Sequence, residues 1–245
     1  MNSRSLRVKV LRGLGSLMVV AALVVFAALI YRFWWTNVAS DRAAESKRAQ
    51  LETMWDAPLV SQSAPQTEPP SLNFDSLRQI PTPKLNDAFA LIYIPRLIED
   101  AWSVPILEGV KQKQLGAGIG HYPGSALPGN EGNFSLFGHR TAYGEPLVHI
   151  EQLVKGDEVI VRTANYWFVY TLQMDRIVEP SALGVTSNAP LTELQPDPNS
   201  PYHAITLITC EPRWSDAKRW VWWGTLSAVY PASTPPLVIL AVDGK

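Results

Sequence analysis

Cys210 is the only cysteine in the chain, and it ends an apolar, β-branched run, TLITC, directly before the turn-rich loop EPRWSDAK. A strand terminus can fix a side chain in place while leaving it open on one side. A thiol attacks carbon only as thiolate, and a neighbouring cation favours that form. Arg219 lies nine positions further on and opens the returning apolar run. Its guanidinium stays charged at any working pH, so it cannot take a proton, but it can offer planar donors to an oxygen that gains charge. The proton acceptor must come from elsewhere. His139 follows Gly138 in GNFSLFGHRTAYGEP, between an apolar run and a turn-rich segment. His121, in the Gly- and Pro-rich GIGHYPGSALPGN, is a second histidine that could approach the site, whereas His149 falls in LVHIEQL and His203 begins a strand. Taken singly, a histidine is more often structural than catalytic and a lone cysteine is more often a small hydrophobe. The combination of the three points to covalent acyl chemistry.

The elements that would carry these residues read as strands. From about Ala88 onward, short runs rich in β-branched and aromatic residues alternate with turn residues: ALIYIPRL, VPILEGV, EVIVRT and YWFVYTLQMDRIVEP. Lys155-Gly156-Asp157 and Ala164-Asn165 fall where tight turns belong, and a meander entered through VHIEQL is expected over 147–180. HAITLITC and RWVWWGTLSAVY are expected as neighbouring strands joined by the Cys210 loop. LVHIEQL and SALGVTS have room for a helical turn or two, and nothing between 88 and 245 supports a longer helix. PPLVILAVDGK is too short to cross a membrane, and its paired prolines favour an extended edge segment. The fold expected is mainly β, a closed or nearly closed barrel with short helices.

The other end of the chain is of a different character. Residues 13–31, GLGSLMVVAALVVFAALIY, carry no acid or base other than the terminal tyrosine and are long enough to span a bilayer as a helix. Arg4, Arg7, Lys9 and Arg12 precede it, while Phe33, Trp34 and Trp35 follow as an interfacial belt, so the amino terminus is expected in the cytoplasm and the remainder outside. A cleaved secretory signal is the other reading, with an unusually long apolar region; both export the domain. Asp41–Trp55 mixes both charges among good helix formers and suits a short solvated stalk. Ala57–Asn86 is rich in Pro, Ser, Gln and Thr, a linker that would let the domain sample a range of heights and angles. The expected division is a basic tail over 1–12, a membrane anchor over 13–35, stalk and linker over 36–86, and an extracellular catalytic domain over 87–245.

Composition removes several classes of function. Lys and Arg number 21 against 22 Asp and Glu, and the net charge of -1 leaves no footprint for nucleic acid. A single cysteine excludes an intrachain disulfide, and the scattered histidines show no metal-ligand spacing, so no metal and no cofactor are expected.

A His in a GHR loop, then TLITC, then an Arg nine residues after the Cys resembles the signature of the sortase family. Its usual form, TLxTC with a downstream Arg, is matched by Thr206, Leu207, Thr209, Cys210 and Arg219. GHYPGSALPGNEGN, GHRTAYGEP and TLITCEPRWSDAKRWVWWG look most like class E, with a pilin-polymerising class C enzyme as second choice. The resemblance implies a sortase-type β-barrel in which Cys210 attacks the Thr-Gly bond of a carboxyl-terminal sorting signal on a secreted protein. His139 would shuttle the proton, and Arg219, with the backbone amide of Glu211, would hold the oxyanion. The thioacyl enzyme would be resolved by an amine of a peptidoglycan precursor. Tyr143 matches a tyrosine linked to LAxTG in place of LPxTG, and Thr209, Glu211 and His121 are the other residues expected to contact substrate. Phe137, where alanine often precedes the GH pair, and Trp222 and Trp223 depart from common patterns. The rival readings are a secreted cysteine peptidase or amidase and a non-enzymatic surface module.

Overall fold

The computed structural model describes residues 3–55, 80–187 and 201–243, so residues 57–79 of the expected linker lie outside the described residues. Eight strands close into a barrel: β1 (Ala88–Tyr93), β2 (Val104–Glu108), β3 (Ile119–His121), β4 (Gly132–Phe137), β5 (Glu158–Arg162), β6 (Tyr166–Val178), β7 (His203–Glu211) and β8 (Lys218–Pro231). Around the barrel they run β1-β2-β3-β4-β7-β8-β6-β5, with β5 returning to β1. β2/β3 and β4/β7 pair in parallel and every other neighbour pair is antiparallel. Closure leaves no strand edge to solvent, as the run of short β-branched segments demanded.

The inward alternate residues build the core. Ile92, Ile106, Phe134, Leu136, Phe168, Leu172, Ile205 and Leu207 are all sealed inside. Tyr170 joins them, with its hydroxyl accepting from Gly129 N at 2.7 Å, so the buried phenol is not left unpaired. Outward alternates form a second, smaller core: Ile208, Val221 and Trp223, with Phe137, Met174 and Val178 packed around them and Val185 from the 3₁₀ turn Leu183–Thr186 beside them. Asn133 fixes that turn by donating to Val185 O at 3.1 Å, while its own carbonyl oxygen accepts from Thr206 Oγ1 at 2.6 Å.

Two short strands escape the sequence reading. The segment that carries His121 forms β3 and the run before His139 forms β4, where loops were expected. LVHIEQL and SALGVTS supply the short helical turns they had room for, Ile150–Gln152 and Leu183–Thr186, so the meander begins at β5. The carboxyl-terminal segment Leu237–Asp243 is helical, not extended. Proline is at home at a helix start, where its missing N–H would have no partner. Pro236 O accepts from Ile239 N at 3.0 Å, and Ile239 is buried. Ile80 already packs against the main core, so the barrel unit begins ahead of residue 87.

The expected stalk also differs. A single helix, α1 (Ser3–Trp55), runs from the apolar segment into it. Residues 11–31 are exposed and apolar enough to cross a bilayer. Beyond them shielding becomes periodic: 40, 43–44, 47–48, 51–52 and 55 are covered, while 41–42, 45–46, 49–50 and 53–54 are open. That three-to-four spacing is one face of a helix laid against the barrel. Leu51 is buried among Tyr93, Trp167 and Ile239. Arg162 lies between Trp55 and Trp167, with its guanidinium carbon 4.9 and 5.2 Å from the two ring centres. The stripe is made largely of small and amphipathic residues whose stems cover apolar surface, so hydropathy alone does not reveal it.

Candidate active site

Strand alternation puts Cys210 on the outer face of β7 with Ile208. In the β7/β8 ladder Cys210 stands directly opposite Arg219, so both side chains project from the same face, with Cβ atoms about 5 Å apart. Arg219 is half-buried, and its Nη1 donates to Asp216 O at 2.8 Å and Lys218 O at 2.9 Å, which orients the guanidinium from the loop side.

His139 reaches the same place through β4. Parallel pairing sets Phe137 beside Ile208, Gly138 N then donates to Ile208 O at 3.0 Å, and Thr209 Oγ1 donates to Gly138 O at 2.7 Å. The residue before His139 is thus stapled to the two residues before Cys210. A Cβ at Gly138 would come within 2.8 Å of Leu147 Cδ1, so a side chain there would force the buried Leu147 to shift. Arg140 completes the joint. It is buried, pairs with Glu211 beside Cys210 and with Glu151 at 2.9 Å, and stacks 5.1 Å above the ring centre of Trp220.

Between these segments opens a cleft of about 380 Å³ lined by His139, Thr141, Cys210, Arg213, Trp214 and Asp216. Larger cavities of about 440 and 600 Å³ lie along α1, but neither is lined by a cysteine or histidine. Among the described residues no three His, Cys, Asp or Glu side chains gather as a metal set would. Nε2 of His139 is buried without a hydrogen-bond partner, and burial holds its pKa below the ordinary imidazole value. An imidazole that is neutral near pH 7 and has an unclaimed ring nitrogen is suited to accept a proton inside the cleft.

The depressed pKa has a sign for stability. The folded chain favours the neutral ring, so this contribution is full above about pH 6.5 and is lost as pH falls from there through the lower folded value. Urea unfolding between pH 7.5 and 5 should show a smaller loss of stability in His139→Gln than in the parent. Equal losses would mean that the ring titrates normally.

The remaining expected contacts divide. Tyr143 lies beside His139, its ring centre 5.2 Å from that of His139. Ala142, Tyr143, Gly144 and Glu145 all have positive φ, between 45° and 79°. Such a run is costly for residues other than glycine, and strain of this kind gathers at functional sites. Thr209 is buried and its hydroxyl is spent on Gly138, so it joins strands and presents no face to a ligand. His121 is likewise sealed within the barrel. Its Nδ1 is 2.5 Å from Glu108, its Nε2 is 2.8 Å from Ser125 Oγ and 3.1 Å from Ala126 O, and Phe89 and Phe134 flank its ring. Glu211 is half-buried and its carboxylate is occupied by Arg140. Arg140 and Arg213 received no role from sequence reasoning. The signal for Arg140 was an arginine directly after the His and a glutamate directly after the Cys.

A closed barrel of this strand order, with Cys, His and Arg on its rim, defines a class of protein that the comparisons name. The sortase domain matches residues 92–227, and the chain belongs to the sortase family. Within it the likeness is to class E. Sortase SrtE1 of Streptomyces coelicolor is 31% identical over 234 residues, which are 91% of this chain and 58% of the relative. The chain therefore spans little more than half the length of that relative. Sortase E from Streptomyces avermitilis superposes with a TM-score of 0.57 at 32% identity, over 64% of this chain and 99% of that one. Sortase E1 from Streptomyces coelicolor, solved with a tripeptide in the active site, gives 0.55 at 33% identity, over 62% and 96%.

Proposed function

We propose that the chain is a membrane-anchored cysteine transpeptidase that cleaves a carboxyl-terminal sorting signal of the LAxTG or LPxTG type between Thr and Gly. The observation that carries this reading is a half-buried Cys210 sharing one cleft with His139, whose Nε2 has no protein partner. His139 takes the proton of the Cys210 thiol, the thiolate adds to the Thr carbonyl carbon, and the oxyanion is met by Arg219 and by the backbone amide of Glu211. Collapse breaks the C–N bond, and the glycine amine leaves with a proton from His139. An amine of a peptidoglycan precursor then adds to the thioester, passes its proton to His139 and expels the sulfur. The amino terminus would lie in the cytoplasm and the barrel outside, where secreted chains retained by their own signals and wall precursors meet it.

Tyr143 supports the LAxTG preference by its place beside His139. The hydrolytic alternative uses the same Cys and His but lets water resolve the thioester. Incubating the full chain in nanodiscs with LAxTG and LPxTG peptides, with and without an amine acceptor, and reading products by mass spectrometry separates the two. Amide product is expected, with LAxTG the better donor and the donor ratio shifted in Tyr143→Ala. Acid alone under every acceptor would make the chain a peptidase, and an unchanged ratio would remove Tyr143 from recognition.

A further inference from the structure

The strained turn beside His139 is not held by the barrel alone. Asn37 of α1, two residues beyond Trp35, donates from Nδ2 to Glu145 Oε1 at 3.2 Å and accepts at Oδ1 from Gly144 N at 3.3 Å. One helical turn on, Ser40 is buried and its Oγ donates to Gly116 O at 2.7 Å. Gly116 in turn underlies Tyr143: a Cβ built on it would stand 3.9 Å from Tyr143 Cδ1. Gly144 has φ +79°, and a side chain there would press on Ser40 Oγ at 3.1 Å, so the turn and the helix are fitted to each other. The Glu145 carboxylate is the hub. Oε1 also accepts from Ala142 N at 2.9 Å, and Oε2 accepts from Arg213 Nη2 at 3.3 Å, which links the turn to the opposite wall of the cleft. Asn37 and Ser40 are spaced three apart and so share one helix face.

We infer that the membrane-proximal turn of α1, through Asn37 and Ser40, is a positioning element of the catalytic cleft: the helix that anchors the chain also holds the 142–145 turn on which Tyr143 stands beside His139. This rests on the transpeptidase reading. Four consecutive left-handed residues, only one of them glycine, would relax toward ordinary backbone without outside support. The support comes from a segment outside the barrel sequence, and at 1.5 Å per residue Ser40 is only about 8 Å along the helix from Trp35. The cleft wall is therefore built at the level of the aromatic belt.

Asn37→Leu in the full chain, reconstituted in nanodiscs, tests this. The expected result is a kcat about 10-fold lower with KM for the peptide little changed, because reacting groups are misplaced while the barrel is intact. Amide exchange at Ala142 and Gly144 should rise about 10-fold while β7 and β8 exchange as in the parent. Combining Asn37→Leu with Glu145→Gln should cost less than the sum of the two single changes, since the two residues share the Nδ2–Oε1 contact. Unchanged kcat, unchanged exchange over 142–144, or full additivity would each overturn the inference. If the parent made no acyl product at all, the transpeptidase reading would fall instead, and the exchange measurement would still decide whether the helix holds the turn.

Discussion

Cys210→Ala is expected to lose the thioacyl enzyme entirely and to lower kcat/KM by about 10⁴-fold or more. Among the described residues no second thiol stands in the cleft. Cys210 is the only cysteine of the chain, the Thr141 hydroxyl donates to Arg213 O, and Ser215 Oγ accepts from Ala217 N at 3.2 Å. Stability should barely change, within about 1 kcal/mol, because the side chain is half-buried on the outside of the barrel and outside its main core. Intact-mass measurement of enzyme mixed with sorting peptide, alongside thermal unfolding, reads both quantities. A covalent adduct of the same mass in the alanine variant would place the nucleophile elsewhere.

Arg219→Lys is expected to lower kcat by about 10²- to 10³-fold with a small change in KM. The substitution keeps the positive charge opposite Cys210 and so preserves whatever Coulombic help the thiolate receives. What it removes is the fork. Arg219 spends Nη1 on two loop carbonyls, and a planar guanidinium held there still has donors directed from a fixed plane. An ammonium that satisfies the same carbonyls has no such plane and must be re-aimed at each turnover. Arg219→Ala should be slower still. If it turned over peptide at the parent rate, Arg219 would have no part in holding the oxyanion, whatever its register with Cys210.

The long, strongly patterned strands and the chemical groups were legible in the sequence. β6, β7 and β8 fall on apolar runs named from their β-branched and aromatic content, and the Cys210 loop between β7 and β8 lies where its turn residues put it. β3 and β4 were not legible. β3 is three residues with a central glycine, and β4 sets Asn133 and Ser135 on a face that is buried by the neighbouring segment. Polar alternates there read as loop because local pattern does not say what will cover them. The same limit hid the carboxyl-terminal helix, whose Ile239 is buried in one cluster with Leu51. In the site, residue type singled out Cys210, His139 and Arg219, which the fold sets beside one another, but not which neighbours are structural. Thr209 and His121 sit in family-like motifs yet spend their polar atoms inside the protein, while Arg140 joins the His139 and Cys210 segments through Glu211, 71 positions away. Those assignments follow from pairing between β4 and β7, which only the closed sheet reveals.

The unbroken run of α1 from its apolar part into the covered stripe has a geometric consequence. A rigid helix turns residue count into azimuth: each residue added between Trp35 and Asn37 would swing the barrel by about 100° around the helix axis and lift it by about 1.5 Å. The compass bearing of the cleft over the bilayer is thereby written into the number of residues between the membrane and the first turn that grips the barrel.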